Sequence, residues 1–411
     1  MMREFEPGRQ AERAPTAPLH LPGGVRAPSY GRYLEDFAAG AVFVHPRGMT
    51  LNSGLCQDFA TTFLEHNPLY LNAEYAAACG FETAPASPLL VLSTVLSLGV
   101  QNDSEKAIAH LGYYDVHFLR AVYPGDTLRA LTRVTRRQER GPGEPGIVSV
   151  RTIGLNQRDE LVLQYDRKIL VPCRPVRPDD GARAAPEPGE VAGTPAIAGS
   201  GAAAAVPQAF PDTVQPCILL PDAGCRPVHF TGINTYCEDF TPGQVILHAN
   251  GRTVTDEHFA WTYRTGNTHP LHFDRLYSAA RSGAMSGEPI VYGGLVFAWL
   301  AGLASRDTSE NALWDLGYTE GYHTQPTFAG DTLYALSRVL DCQAGPEGFD
   351  AGIVTLQLIG LKNITAPAAL DRYGADLFLK ENDKRKLGKE KAPEKIFEIE
   401  RRLLVRRRPQ S

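Results

Sequence analysis

The chain repeats itself. "YLEDFAAGAV" (33–42) returns as "YCEDFTPGQV" (236–245), keeping Tyr, Glu, Asp, Phe, Gly and Val at an offset of 203. "LGYYDVHFLRAVYPGDTLRALTRV" (111–134) returns as "LGYTEGYHTQPTFAGDTLYALSRV" (316–339) at 205, and "NPLY" (67–70) as "HPLH" (269–272) at 202. "IGL" (153–155) answers "IGL" (359–361) at 206. A nearly constant offset over such a span means a duplicated domain, so whatever one copy folds into, the other must fold into as well. The 411 residues agree, since they suffice for two domains of about 150 residues each with a tail and a linker left over.

The copies are expected at 30–172 and 228–411, joined through 173–227. Residues 177–208 are rich in Ala, Pro and Gly without a period, the composition of a flexible or disordered linker, and 1–29 read as a disordered tail. Each copy turns at Gly40 or Gly243; in the second, a small helix follows Thr255, an expected N-cap. Next comes a "PL" loop and then a long apolar helix, "SPLLVLSTVLSLGV" (87–100) or "GGLVFAWLAGLAS" (293–305), apolar nearly all round and therefore buried. Alternating stretches such as "TLYALSRVL" (332–340), "GIVTLQLIGL" (352–361) and "IFEIERRLLVRR" (396–407) read as strands. A buried helix followed by several antiparallel strands implies a sheet wrapped around that helix, an α+β architecture made twice. The second copy also carries an excursion, 366–395, whose six Lys/Arg between Lys380 and Lys391 read as a solvated loop or as phosphate contacts.

Composition excludes several classes of function. A net charge of −5 and a pI near 6.1 offer no field attractive to nucleic acid or an anionic membrane. The longest apolar run, Leu89 to Val100, falls short of the roughly 20 residues a membrane helix needs. The N-terminus lacks the apolar core of a secretory signal, so a cytoplasmic protein is expected. Seven cysteines, an odd number without a C-x-x-C pair, read as reduced thiols.

The chemistry concentrates in "TGNTHPLHFDRLYSAA" (265–280). That loop, followed by "IVYGGL" and by "GDTL" on a strand, resembles the MaoC-like hydratase/dehydratase family of hot-dog folds. The doubled chain is similar, more narrowly, to that family's mesaconyl-CoA hydratase (β-methylmalyl-CoA dehydratase) branch, over about 30–172 and 228–407. The resemblance implies a double hot-dog, two tandem antiparallel sheets each wrapped around a buried helix. It implies reversible addition of water to a short branched dicarboxylic enoyl-CoA, with no cofactor and no metal. Compatible alternatives are a (de)hydratase of another enoyl thioester, on CoA or an acyl carrier protein, and a non-catalytic acyl-CoA binder. A thioesterase would need an acidic residue that "GGLVFAWLAGLAS" lacks.

In the wider family the loop reads G-D-x-N-P-L-H, its Asp and His together holding the water. Carried onto this chain, the His falls on His272 and the Asp on Asn267, an amide that can hold water through its carbonyl oxygen but cannot exchange a proton. His272, with a reference pKa near 6.5, is the expected acid/base. His269 is expected to brace the turn, and Asp274 to cap the next helix, with Asp274 and Glu65 as reserve carboxylates. Gly293, at the start of the buried helix, is the expected oxyanion donor, flanked by Tyr292 and Gly294 as substrate contacts. A free carboxylate on the acyl group would call for an arginine, and Arg252, Arg264 and Arg275 are the candidates by proximity in sequence. In the first copy the positions of His272, Asn267 and Gly293 hold Tyr70, Glu65 and Pro88. Proline has no N–H to donate, so one active site per chain is expected, possession of a CoA thioester substrate is implied, and a homo-oligomer is left open.

Overall fold

The structure, a computed structural model, describes residues 28–175, 210–218, 230–232, 235–281, 285 and 287–409. Residues 1–27 of the expected tail, the linker composition at 177–208 and Cys225 lie outside the described residues. The first repeat runs β1 (Val42–Val44), β2 (Met49–Thr50), α1 (Ser53–Thr62), α2 (Ala73–Ala78), α3 (Pro88–Gly99), β3 (Ala109–Phe118), β4 (Thr127–Gln138), β5 (Gly146–Leu155) and β6 (Leu161–Val171). The second runs β7 (Val245–Leu247), β8 (Arg252–Thr253), α4 (Glu257–Arg264), α5 (Arg275–Ala279), α6 (Gly293–Thr308), β9 (Ala312–His323), β10 (Thr332–Ala344) and β11 (Ala351–Lys362). Its excursion adds α7 (Ala366–Tyr373) and α8 (Glu381–Lys384) before β12 (Lys395–Arg406). The small helix begins at Glu257 with Asp256 at its N-cap, one residue later than expected.

Helices α3 and α6 are the two central helices. Every residue of α3 is buried, including Ser93, Thr94 and Ser97 within an otherwise apolar run, and Pro88 at its first position loses nothing because that N–H has no intrahelical acceptor. The duplicated strands do not form two separate sheets. They join edge to edge into one antiparallel sheet of twelve strands, in the order β1-β4-β5-β6-β3-β9-β12-β11-β10-β7, with β2 on β4 and β8 on β10. The seam is β3 against β9, with Tyr113 opposite Gly321 and Val116 opposite Tyr318. Each copy would otherwise leave a long edge strand with unpaired backbone groups, and pairing the two edges satisfies both.

Side chains lock the same junction. Phe63 of the first repeat packs on Trp261 and Trp299 of the second, with ring centroids 5.2 and 4.8 Å apart. The indole of Trp314 donates to the Phe118 carbonyl at 2.9 Å, and the Asn67 amide to that of Ala312 at 2.9 Å. Excursion residues Ala366, Ala369, Leu377 and Phe378 cover Leu336, Ile359 and Leu361 of β10 and β11. Most of its cations are already paired: Lys380 with Glu320, buried Lys384 with Glu381, Lys386 with Asp383 and Lys389 with Asp376. No disulfide joins any two of the six described cysteines. No helix among the described residues is long and apolar enough to cross a membrane.

Candidate active site

The "GNTHPLHFD" loop folds by local hydrogen bonding. Asn267, 1% exposed, accepts the His269 N–H through Oδ1 at 2.8 Å, and His269 accepts the Leu271 N–H through Nδ1 at 3.2 Å. The short helical turn Pro270–His272 follows. The first repeat makes the same turn with other residues: Glu65 accepts from Asn67 at 2.9 Å, and Asn67 from Leu69 at 2.9 Å. His269 therefore braces the turn, and Asp274 caps α5 by accepting the Tyr277 N–H at 2.9 Å. A backbone N–H needs an acceptor, so the Asn267 oxygen belongs to the turn and its NH₂ is the end with donors to spare.

This loop and the start of α6 line a cavity of about 300 Å³ between the repeats. His272, Asn267, Tyr292 and Gly293 all reach it. The Nδ1 of His272 lies 3.1 Å from the Ile290 carbonyl oxygen. Only a protonated Nδ1 can donate there, so Nε2 carries the lone pair. The ring keeps partial exposure because it faces the cavity, yet burial lowers its pKa to about 4, well below the reference value expected from sequence. It is held as the neutral imidazole. Tyr292 packs on that ring at 5.4 Å and directs its hydroxyl to the Ser93 carbonyl at 3.3 Å.

Gly293 occupies the first position of α6, where backbone N–H groups lack intrahelical acceptors and the helix dipole is positive. A Cβ on Gly293 would lie 2.6 Å from Nε2 of His323, the last residue of β9. That nitrogen is buried without a hydrogen-bond partner, and burial lowers the imidazole to about pKa 4. His323 is thus a cavity histidine that reading the loop alone missed. The repeat carried a signal for it, because the matching position in the first copy is the apolar Phe118.

Other expected contacts lie elsewhere. A Cβ on Gly294 would meet Ser93 Oγ at 2.7 Å, which places this glycine against α3 where it permits close approach of the two central helices. None of the three arginines chosen by proximity reaches the cavity. Arg252 pairs with Glu257, Arg264 with Asp58, and the exposed Arg275 with Glu288 at 3.2 Å. The arginine that does line the cavity is Arg167 of the first repeat, 3% exposed. Neither Glu65 nor Asp274 lines it, nor does any other carboxylate among the described residues.

The model of the mesaconyl-CoA hydratase family matches residues 25–375 of this chain. The chain belongs to that family. It is 34% identical over 340 residues to the mesaconyl-CoA hydratase of Cereibacter sphaeroides, covering 82% of this chain and 91% of the relative. It is 32% identical over 334 residues to the β-methylmalyl-CoA dehydratase of Chloroflexus aurantiacus, covering 81% and 89%. Among solved structures, a MaoC domain protein dehydratase from Chloroflexus aurantiacus superimposes with a TM-score of 0.75 at 28% identity, over 93% of this chain and all (100%) of that one. A double hot-dog protein of Mycobacterium tuberculosis shares the fold, with a TM-score of 0.65 at 23% identity over 91% of this chain and 98% of that one. The family is one of hydro-lyases acting on CoA thioesters, and the fold is the double hot-dog α+β architecture.

Proposed function

We propose that this chain hydrates mesaconyl-CoA to β-methylmalyl-CoA and catalyses the reverse dehydration, at one active site built around His272. The observation that supports it most directly is the cavity, where a neutral imidazole with its Nε2 lone pair available stands beside the N-terminus of α6. In the forward direction Nε2 of His272 takes a proton from water as the oxygen adds to the alkene carbon β to the thioester. Asn267 orients that water by donating from its amide. The electron pair of the alkene moves toward the thioester, whose oxygen gains enolate character.

The Gly293 N–H donates to that oxygen, and the neutral His323 ring above it supplies a second donor from Nε2. Such preorganised donors act where charge develops and typically account for about 10²–10³ in rate each. The imidazolium of His272 then returns its proton to Cα on the same face, which makes the addition syn. The low pKa of the buried ring favours that return, and the attacked alkene, polarised by two donors, compensates for a weak base. The first repeat, with Tyr70, Glu65 and Pro88 in the matching places, serves as a binding and structural partner. The proposed division is therefore 30–172 as the degenerate domain and 228–411 as the catalytic one, with 173–227 linking them.

The test is turnover by the purified protein of mesaconyl-CoA beside crotonyl-CoA, followed by loss of the enoyl-thioester absorbance. Faster hydration of mesaconyl-CoA is expected, and a preference for the monocarboxylic thioester would overturn the substrate assignment.

A further inference from the structure

The cavity holds one fully charged residue among its described lining, and it comes from the wrong repeat for the proposed chemistry. Arg167 lies on β6, opposite Tyr113 of β3, which in turn lies opposite Gly321 of β9 across the seam. Two interstrand steps of about 4.8 Å separate it from the strand that carries His323. Asp103, 1% exposed and on the single π-type turn that ends α3, holds the guanidinium from behind at 2.8 Å. Of the remaining donors, Nη1 has only a 3.5 Å contact with Ser104 Oγ, and Nε is buried without a partner.

The duplication shows what the matching arginine does in the other repeat's site. By strand register, Arg167 opposite Tyr113 corresponds to Arg401 opposite Tyr318. Arg401 serves the first repeat's counterpart of the site, where its charge reaches Tyr70 and Glu65. There Asp315, on the strand at the seam, binds Arg401 at 3.0 Å and also reaches Tyr70. The position of Asp315 in the first copy is His110. That ring lines the cavity near Arg167, with neither nitrogen hydrogen-bonded. Each arginine thus has one buried carboxylate, Asp315 for Arg401 and Asp103 for Arg167, but the carboxylate on the seam strand is present in one site and replaced by His110 in the other.

We propose that Arg167 is the receptor for the free carboxylate of the acyl group, so that the first repeat selects a dicarboxylic thioester for the second repeat to hydrate. The incoming carboxylate takes the place that Asp315 fills on Arg401, while Asp103 keeps the guanidinium fixed behind it. A planar donor fork suits this role better than an ammonium group, because it meets both carboxylate oxygens at once. The inference rests on the hydratase reading above.

Wild type and Arg167→Met are compared on mesaconyl-CoA and crotonyl-CoA. Wild-type preference for mesaconyl-CoA supports the substrate reading, and its absence sinks that reading and the receptor together. Given the preference, Arg167→Met should lower kcat/KM for mesaconyl-CoA by roughly 10- to 150-fold more than for crotonyl-CoA, the range expected for hydrogen bonds to a charged group. Equal losses on the two substrates would leave the substrate reading standing and overturn the receptor. Should the variant fail to fold, calorimetric binding to wild type decides. Succinyl-CoA should bind at least about 10-fold more tightly than butyryl-CoA, and equal dissociation constants would overturn the proposal.

Discussion

The two repeats fold alike and differ where it matters for chemistry. Tyr70, Pro88, Phe118 and Asp315 stand in one site at the positions where His272, Gly293, His323 and His110 line the cavity of its counterpart. The turns, strand registers and central helices are otherwise matched, down to the side-chain oxygens that hold each "PL" turn. The difference teaches that a hot-dog repeat can exchange the residues of its site without losing its fold. The residues exchanged at the site are ones whose backbone roles any of the alternatives fulfils, proline at a helix start being the clearest case.

The sharpest way to break this comparison is at the proposed base. His272→Ala should lower kcat by about 10²–10⁴, the usual contribution of a positioned acid/base, whereas Tyr70→Phe should change it by less than about 2-fold. Comparable losses in the two variants would mean that both sites turn over. The α6 start comes next. Gly293→Pro removes an N–H and also places a Cβ 2.6 Å from His323 Nε2, so it should cost at least about 10²–10³ in kcat. Gly293→Ala keeps the N–H and displaces only the ring, and His323→Phe copies the first repeat. Those two should match each other at about 10²–10³, the cost of one donor, and lose less than Gly293→Pro, which removes the N–H and displaces the ring as well, measured as kcat with folding checked by circular dichroism.

A third contrast uses pH. In the proposed mechanism the neutral form of His272 is the active one, and burial lowers its pKa to about 4, so kcat/KM corrected for folded fraction should stay level down to about pH 5 and fall below it with one ionisation. An acid limb centred near 6.5 would mean the base is an exposed imidazole instead. Stability should change sooner. His45, His258, His272 and His323 are lowered by burial to about 4 and His269 to about 3, against 6.5 unfolded. Between those values the unfolded chain binds more protons, so stability is complete above about pH 6.5 and is lost as pH falls toward 4. The urea midpoint should track that window. The smallest effect is expected at Asn267: Asn267→Ala should lower kcat by about 10-fold and stability by about 1 kcal/mol, since the His269 N–H loses its acceptor, and the acid limb should keep its single ionisation.

What was legible in the sequence follows from range. The duplication, the buried helices and the strands are periodic patterns, and the roles of His269 and Asp274 are hydrogen bonds spanning two or three residues, so both kinds of feature are written locally. Arg167 is not. In "QYDRKIL" it reads as an outward charge on a strand, and only the β3–β9 seam turns it toward a loop a hundred residues away in the chain. The seam likewise merged the two expected sheets into one. Arg252, Arg264 and Arg275 were chosen for nearness in sequence, and each instead met a carboxylate within reach. His323 and His110 were within reach of the repeat comparison, as polarity reversals against Phe118 and Asp315.

The seam has a consequence for how such a chain can change over time. Two separate hot-dog subunits meeting edge to edge would have to find each other in solution, and symmetry would stamp every substitution into both sites at once. Carrying both edges on one polypeptide makes their encounter intramolecular, with an effective concentration that flexible tethers commonly set in the millimolar range. Assembly then no longer depends on how much protein the cell makes. It also releases the two sites from each other: a residue such as Arg167 can be tuned for one pocket while Arg401, its twin by register, stays bound to Asp315 in the other.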